Sequence, residues 1–292
     1  MKVKKVFMVR KNISVLFLFL QFATGIFAQQ NPGAKSISLA NADVALCNDA
    51  FSLFTNPSGL AQMNWIEGGI FYSPSPFGVK ELSNTFFAAS IPTEYGSLGF
   101  GVTTYGFELY KENKFVLAYS NRYAKNFFYG VSLSLNHLSI KNYGKDNAFT
   151  FSLGALYYIS PDLRFAFAAD NLNKASWGKE KNQIPTAYRS GISYDVLQNV
   201  SLNVAVESEV GFNPSLQCGI NYDINEYFSL RSGFSNEPTK YSAGFGVQYS
   251  QFEIDYAIFT HQELGLTHQF TVLLGLESLE SRADKIRKYL GF

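Results

Sequence analysis

The chain has 292 residues, enough for one large domain, and a formal net charge of +1, which gives it no electrostatic claim on nucleic acid. Charged residues make up only 16%, against about 25% in an average soluble domain, while Phe and Tyr are abundant at 28 and 18. Past the N-terminus no apolar run approaches the roughly eighteen residues of a membrane helix, which argues against a helical membrane protein and for apolar residues spread along strands.

The N-terminus carries Lys2, Lys4, Lys5, Arg10 and Lys11 ahead of a mostly apolar run from Ile13 to Phe27. Ile26-Phe27-Ala28 offers a cleavage site before Gln29, with Ile26 departing from the usual small residue. Residues 1–28 are expected to be a secretory signal peptide, outside the folded domain. Cys47 and Cys218 are expected to act as small apolar residues rather than as a bridge, Cys47 inside and Cys218 on the lipid face.

Residues 29–64 lack alternation and are rich in small residues. They read as a compact plug, with Asn48 as the cap of a short helix through Phe54 and Asn56-Pro57 as its stop. From residue 66 to 276 about fourteen strand candidates follow. Val200, Leu202, Val204 and Val206 alternate with Ser201, Asn203, Ala205 and Glu207, giving one oily and one polar face. Phe149, Phe151 and Leu153 repeat the pattern, as do Phe165 and Phe167, Tyr241 through Tyr249, and Phe252 through Ile258. In the fifth candidate the phase slips at His137, consistent with a bulge or with a strand leaving the membrane.

The connections alternate too. Short ones such as Pro92–Tyr95, Ser160–Asp162 and Ser250–Gln251 are interleaved with longer ones such as 74–83, 141–147 and 173–186. Outer-membrane barrels keep short turns in the periplasm and longer loops outside, so the expected fold is all-β, a transmembrane antiparallel β-barrel of about 14 strands over residues 65–276 with a short N-terminal plug. Tyr157, Tyr158, Tyr194, Tyr222, Tyr227 and Tyr249 sit beside the short turns and could form an aromatic girdle. Residues 277–292 are charged and helical in pattern, a short periplasmic tail.

Two stretches carry a resemblance. Ser36-Ile-Ser-Leu-Ala-Asn-Ala-Asp-Val-Ala-Leu-Cys-Asn-Asp-Ala50, followed by Phe54-Thr-Asn-Pro-Ser-Gly-Leu-Ala61, resembles the N-terminal signature of the PorV/PorQ proteins, and Leu264-Gly-Leu-Thr-His-Gln-Phe270 resembles their closing strand. Ser58 stands where that family commonly has Ala, and Leu39-Ala40-Asn41 where it has glycines. The family is similar to FadL-type barrels with fourteen strands and an N-terminal hatch. It implies an outer-membrane component of the type IX secretion system of Bacteroidota, or a related export or attachment factor, with secretion proteins or cargo as partners. The FadL side of the likeness implies instead a transporter of hydrophobic small molecules. Asn56, Pro57 and Gly59 carry over as hatch-turn residues.

No residue set announces chemistry. His137, His261 and His268 have no metal-ligand spacing, and there is no nucleophile elbow, phosphate loop or cofactor motif, so no catalytic residue, cofactor or metal is assigned. A Ser–His pair on the outer wall, His268 with Ser242 or Ser250, is the one enzymatic arrangement to check against strand register. The informative set is the inward one: Arg164, Asp170, Arg189, Asp195, Glu207, Glu209, Asp223, Arg231, Glu253 and Asp255 are expected to face the lumen. A fourteen-stranded lumen is too wide for wall side chains to fill, so the plug is its stopper. The expected partners are outer-membrane lipid, secretion proteins or cargo, or alternatively a hydrophobic ligand.

Overall fold

The computed structural model describes residues 32–178, 182–261, 264–277 and 281–291, so the expected signal peptide and residues 29–31 of the expected plug lie outside the described residues. Among them no helix is long and apolar enough to cross a membrane. The strands are β1 (Glu67–Ser73), β2 (Asn84–Thr93), β3 (Gly96–Phe107), β4 (Tyr110–Ala124), β5 (Phe127–Ile140), β6 (Gly144–Ser160) and β7 (Leu163–Asp170). They continue with β8 (Ala187–Leu197), β9 (Val200–Glu209), β10 (Ser215–Asp223), β11 (Phe228–Asn236), β12 (Thr239–Tyr249), β13 (Phe252–His261) and β14 (Gly265–Gly275). Each pairs antiparallel with its neighbours in sequence, and β1 closes on β14 with Phe71 opposite Thr271, so no edge remains.

Alternation explains the closure. On β9, Val204 and Val206 stand outward and exposed while Asn203 and Ala205 are buried in the lumen. Ile192, Phe165, Phe149, Ile220, Leu230, Phe245 and Ile254 carry the same exposed apolar face around the cylinder. An apolar belt with every backbone group paired is what a strand needs in hydrocarbon.

Short turns and both ends of the barrel segment lie at one end, the periplasmic end by the outer-membrane rule. The outer end differs from the sequence expectation. Only residues 74–83 and 171–186 form long connections; β3 turns into β4 through 108–109, and β11 into β12 through 237–238. Above the apolar belt both faces meet water, so alternation fades while backbone pairing continues, and ladder had been read as loop. The same reason accounts for His137, whose pairing with Asn147 sits in an unbroken register with no bulge. The register shifts lie instead at Arg122/Ala124, Tyr158/Ser160 and Asp195/Leu197, near the periplasmic turns.

The segment before β1 fills the lumen as a hatch. It holds the helices α1 (Ala34–Ser38) and α2 (Ser52–Thr55), then a 3-10 turn over Pro57–Gln62. Asn48 does not cap α2: its side chain accepts a hydrogen bond from Lys35, and Asp49 Oδ1 accepts from Phe51 N at 2.9 Å instead. After β14 the chain turns back, and α3 (Arg282–Leu290) lies at the periplasmic mouth with Ile286 and Leu290 buried.

Candidate functional site

The lumen is built from three sets of side chains. The first seats the hatch. Asn56 Nδ2 donates to Val44 O at 3.0 Å and to Ala155 O at 3.3 Å, while its Oδ1 accepts from Ser58 N and Ser58 Oγ. Pro57 opens the 3-10 turn, where its missing N–H costs nothing, and Gly59 packs on Cys47 so closely that a side chain would strike the Cys47 carbonyl. The wall meets this segment with glycines. A methyl at Gly154 would overlap Asn56 Oδ1, and one at Gly130 would stand 2.5 Å from the Pro57 carbonyl carbon. Gly101 faces Leu53, Gly191 faces Val44 and Gly233 faces Leu39 in the same manner. A glycine within a strand marks close approach by another chain segment, and here that segment is the hatch.

The second set is ionic. Of the ten charged residues named from sequence, eight are grouped in ion pairs. Arg164 lies 2.5 Å from Asp195; Arg189 bridges Asp170 and Glu207, the latter at 3.2 Å; Arg231 pairs with Asp255 and lies 3.6 Å from Glu253. Asp223 accepts from Asn221 Nδ2 at 3.0 Å, and Glu209 makes no ion pair among the described residues. Sequence reading did not identify the residues that link the wall to the hatch and tail. Arg282 of α3 lies 2.6 Å from Glu67 and from Glu253, and Arg287 reaches Asp162 at 2.8 Å and Asp195 at 3.1 Å. Glu67 also accepts from Ala50 N at 2.8 Å, so wall, hatch and tail meet on one carboxylate. Tyr158 is not in the girdle. It turns inward and donates to Gln62 Oε1 at 2.6 Å, whereas Tyr157, Tyr194, Tyr222, Tyr227 and Tyr249 are exposed outside. Both cysteines are free; burial pushes the Cys47 thiol up to about 12.

The third set is aromatic and was not read from sequence, because inward Phe residues on β1, β2 and β13 break the polar-inside pattern only locally. Phe77, in the 74–83 connection, stands edge-on to Phe259 at 5.7 Å. Farther down, Phe71 meets Phe86 at 5.4 Å, Phe86 meets the hatch residue Phe54 at 5.8 Å, and Phe54 stacks on Phe51. Phe51, Phe71 and Phe259 belong to the buried core, and Phe54, Phe77 and Phe86 pack half-buried against it.

A cleft of about 90 Å³ lies at the periplasmic side between hatch, α3 and wall, with Lys35, Asn48, Arg164, Asp223 and Arg231 beside Leu46 and Phe228 in its lining. Ser242 is buried in the lumen while His268 stands outside against Tyr256 at 2.7 Å, and Ser250 lies in the periplasmic β12–β13 turn, so register keeps both serines from His268.

No family model matches the chain, and no curated protein does. Solved structures do. The CymD monoaromatic hydrocarbon channel superposes with a TM-score of 0.63 at 14% identity, covering 86% of this chain and 98% of that one. The Ralstonia pickettii toluene transporter TbuX gives 0.61 at 12% over the same shares, and a Pseudomonas aeruginosa FadL homologue gives 0.60 at 10% over 85% and 98%. The fold is that of a FadL-like outer-membrane barrel. The finer resemblance to PorV/PorQ gains no support from these comparisons. A FadL-like barrel of this kind has a continuous wall here, since every adjacent strand pair is hydrogen-bonded. Its lowest stretch is β7, eight residues beside a β6 of seventeen, continued upward by the 171–186 connection that Asn171 pins to Ile184 O at 2.8 Å.

Proposed function

We propose that this FadL-like barrel is a non-enzymatic outer-membrane transporter of hydrophobic small molecules. The observation that carries the reading is a broken line of aromatic rings in two groups, Phe77 with Phe259 toward the mouth, and Phe71, Phe86, Phe54 and Phe51 down to the hatch. Phe54, Phe77 and Phe86 are only half-buried, and apolar ring surface left toward the lumen gains hydrophobic stabilisation when something apolar covers it, as a passing ligand would. Proteins of the same fold include channels and transporters of monoaromatic hydrocarbons, which gives the ligand to try first. The test is uptake of labelled toluene by cells that lack other routes and express the chain. Uptake should rise with expression and fall back in Phe86→Asp, whose charge would interrupt the line. Uptake equal to that of cells without the chain ends this reading.

A second reading, a component of secretion or surface attachment acting through protein partners, is favoured by the axial seal, with the hatch seated on glycines and α3 beneath it. Recovery of secretion proteins or cargo with the chain from outer membranes, together with absent toluene uptake, would replace the first reading by the second.

A further inference from the structure

Phe77 lies in the connection between β1 and β2, with φ 57° and ψ 23°, the left-handed region that a bulky side chain seldom adopts. The backbone is held there by the lumen wall: Phe77 N donates to Thr267 Oγ1 at 3.0 Å, and Pro76 beside it is buried. The half-buried ring packs on the wall, edge-on to Phe259 at 5.7 Å and to His261 at 5.7 Å. On the same Phe259 ring sits a cation, Lys240 Nζ, 5.5 Å from its centroid. Lys240 is half-buried and has no carboxylate within ion-pair distance among the described residues. Glu207, whose field reaches it, is already held by Arg189 at 3.2 Å and by Gln217 Nε2 at 2.9 Å.

We infer that this seat against Phe259 is a binding site for an aromatic ring bearing an anionic substituent, and that Phe77 occupies it in place of that ligand. The inference rests on the reading of the lumen as a route for small hydrophobic molecules, and it names which of them the mouth selects. A six-membered ring can take the edge-to-face position of Phe77 against Phe259. A carboxylate on that ring would give Lys240 the partner that the wall withholds, and because Lys240 is half-buried water screens the pair less than at an open surface. The left-handed backbone of the loop keeps Phe77 replaceable: its seat is held by ring contacts and one hydrogen bond, against a conformational cost. Arg164, Arg189 and Arg231 are each committed to a carboxylate of the wall, whereas Lys240, like Lys114 on β4, makes no ion pair among the described residues, and of these two lysines Lys240 is the one set on the Phe259 ring.

The test titrates benzoate and toluene into the full chain in detergent, followed by calorimetry, with heat-modifiable gel mobility confirming a folded barrel in each variant. Benzoate should bind more tightly than toluene. Lys240→Met should weaken benzoate about tenfold and leave toluene unchanged, Lys240→Arg should restore benzoate, and Phe77→Ala should tighten both ligands by removing their competitor. Equal benzoate affinity in the wild type and Lys240→Met overturns the inference, as does unaltered affinity in Phe77→Ala or no benzoate binding at all. The transport reading fails separately, by absent toluene uptake in cells, whatever the benzoate titration shows.

Discussion

Arg282 and Glu67 come from opposite ends of the folded chain and meet 2.6 Å apart beneath the hatch. Glu67 is fully buried, and among the described residues Arg282 is the cation that pairs with it, while also serving Glu253 and the Asn48 carbonyl. A buried ion pair contributes little net stability over an apolar substitute, but removing one partner leaves a charge stranded at a cost of about 3–5 kcal/mol. Arg282→Ala should therefore loosen the hatch, read as faster hydrogen exchange of the Ala50 amide, which bonds Glu67. Adding Glu67→Gln and Glu253→Gln should recover much of the protection. If Arg282→Ala leaves exchange at wild-type rates, α3 does not hold the hatch.

The glycine seats give a second expectation. Gly154→Val places a side chain on Asn56 Oδ1, and the neighbouring backbone of β6 cannot yield without losing its pairing to β5 and β7. The barrel should still form while the hatch becomes sensitive to added protease. Gly68→Ala is the control, because its new methyl would meet Ala88 O at an ordinary 3.6 Å. Equal protease resistance in the two variants would show that the wall does not seat the hatch through these glycines.

How much of this could be read in advance depends on which residues report to a periodic environment. Val204 and Phe165 face lipid, and lipid imposes one rule at every second position, so the fourteen strands and the inward charges could be read from alternation. Glu67 and Arg282 face each other through the fold, and no spacing in the chain announces a contact between its two ends. The glycines were visible but ambiguous, since Gly154 on a polar face looks the same whether it meets water or Asn56. Phe77 was invisible as a site residue because it lies in a connection, where neither the strand nor the helix period applies.

Cys47 offers a chemical reporter of hatch position. Burial raises its thiol to about 12, so at pH 8 on the order of one in 10⁴ is thiolate, the form that alkylates. The folded value lies above that of a free thiol, so a rise from pH 7 to pH 9, still well below 12, should leave the seated thiol almost unreactive. In a Cys218→Ser background, iodoacetamide should label the wild-type hatch negligibly over that range. Gly154→Val or Arg282→Ala should label readily, with a rate that climbs through the ordinary thiol range. Rapid labelling of the wild type at pH 8 would mean that the hatch leaves its seat without any mutation.

The membrane assignment itself can be tested at mid-wall. Val204 is 45% exposed at the centre of β9, flanked by Ile192 on β8 and Cys218 on β10, while its neighbour Asn203 is buried in the lumen. An arginine at the bilayer midplane costs about 2–4 kcal/mol, and the same residue on a water-exposed sheet costs close to nothing. Val204→Arg should therefore lower stability by about that amount when the chain is folded from urea into lipid vesicles. Ser208→Arg, nearer the outer end of the same strand and in the same phase, should cost much less, because the penalty depends on depth. Equal and small effects at both positions would place the outer face of β9 in water and remove the basis for reading the chain as a barrel that spans lipid.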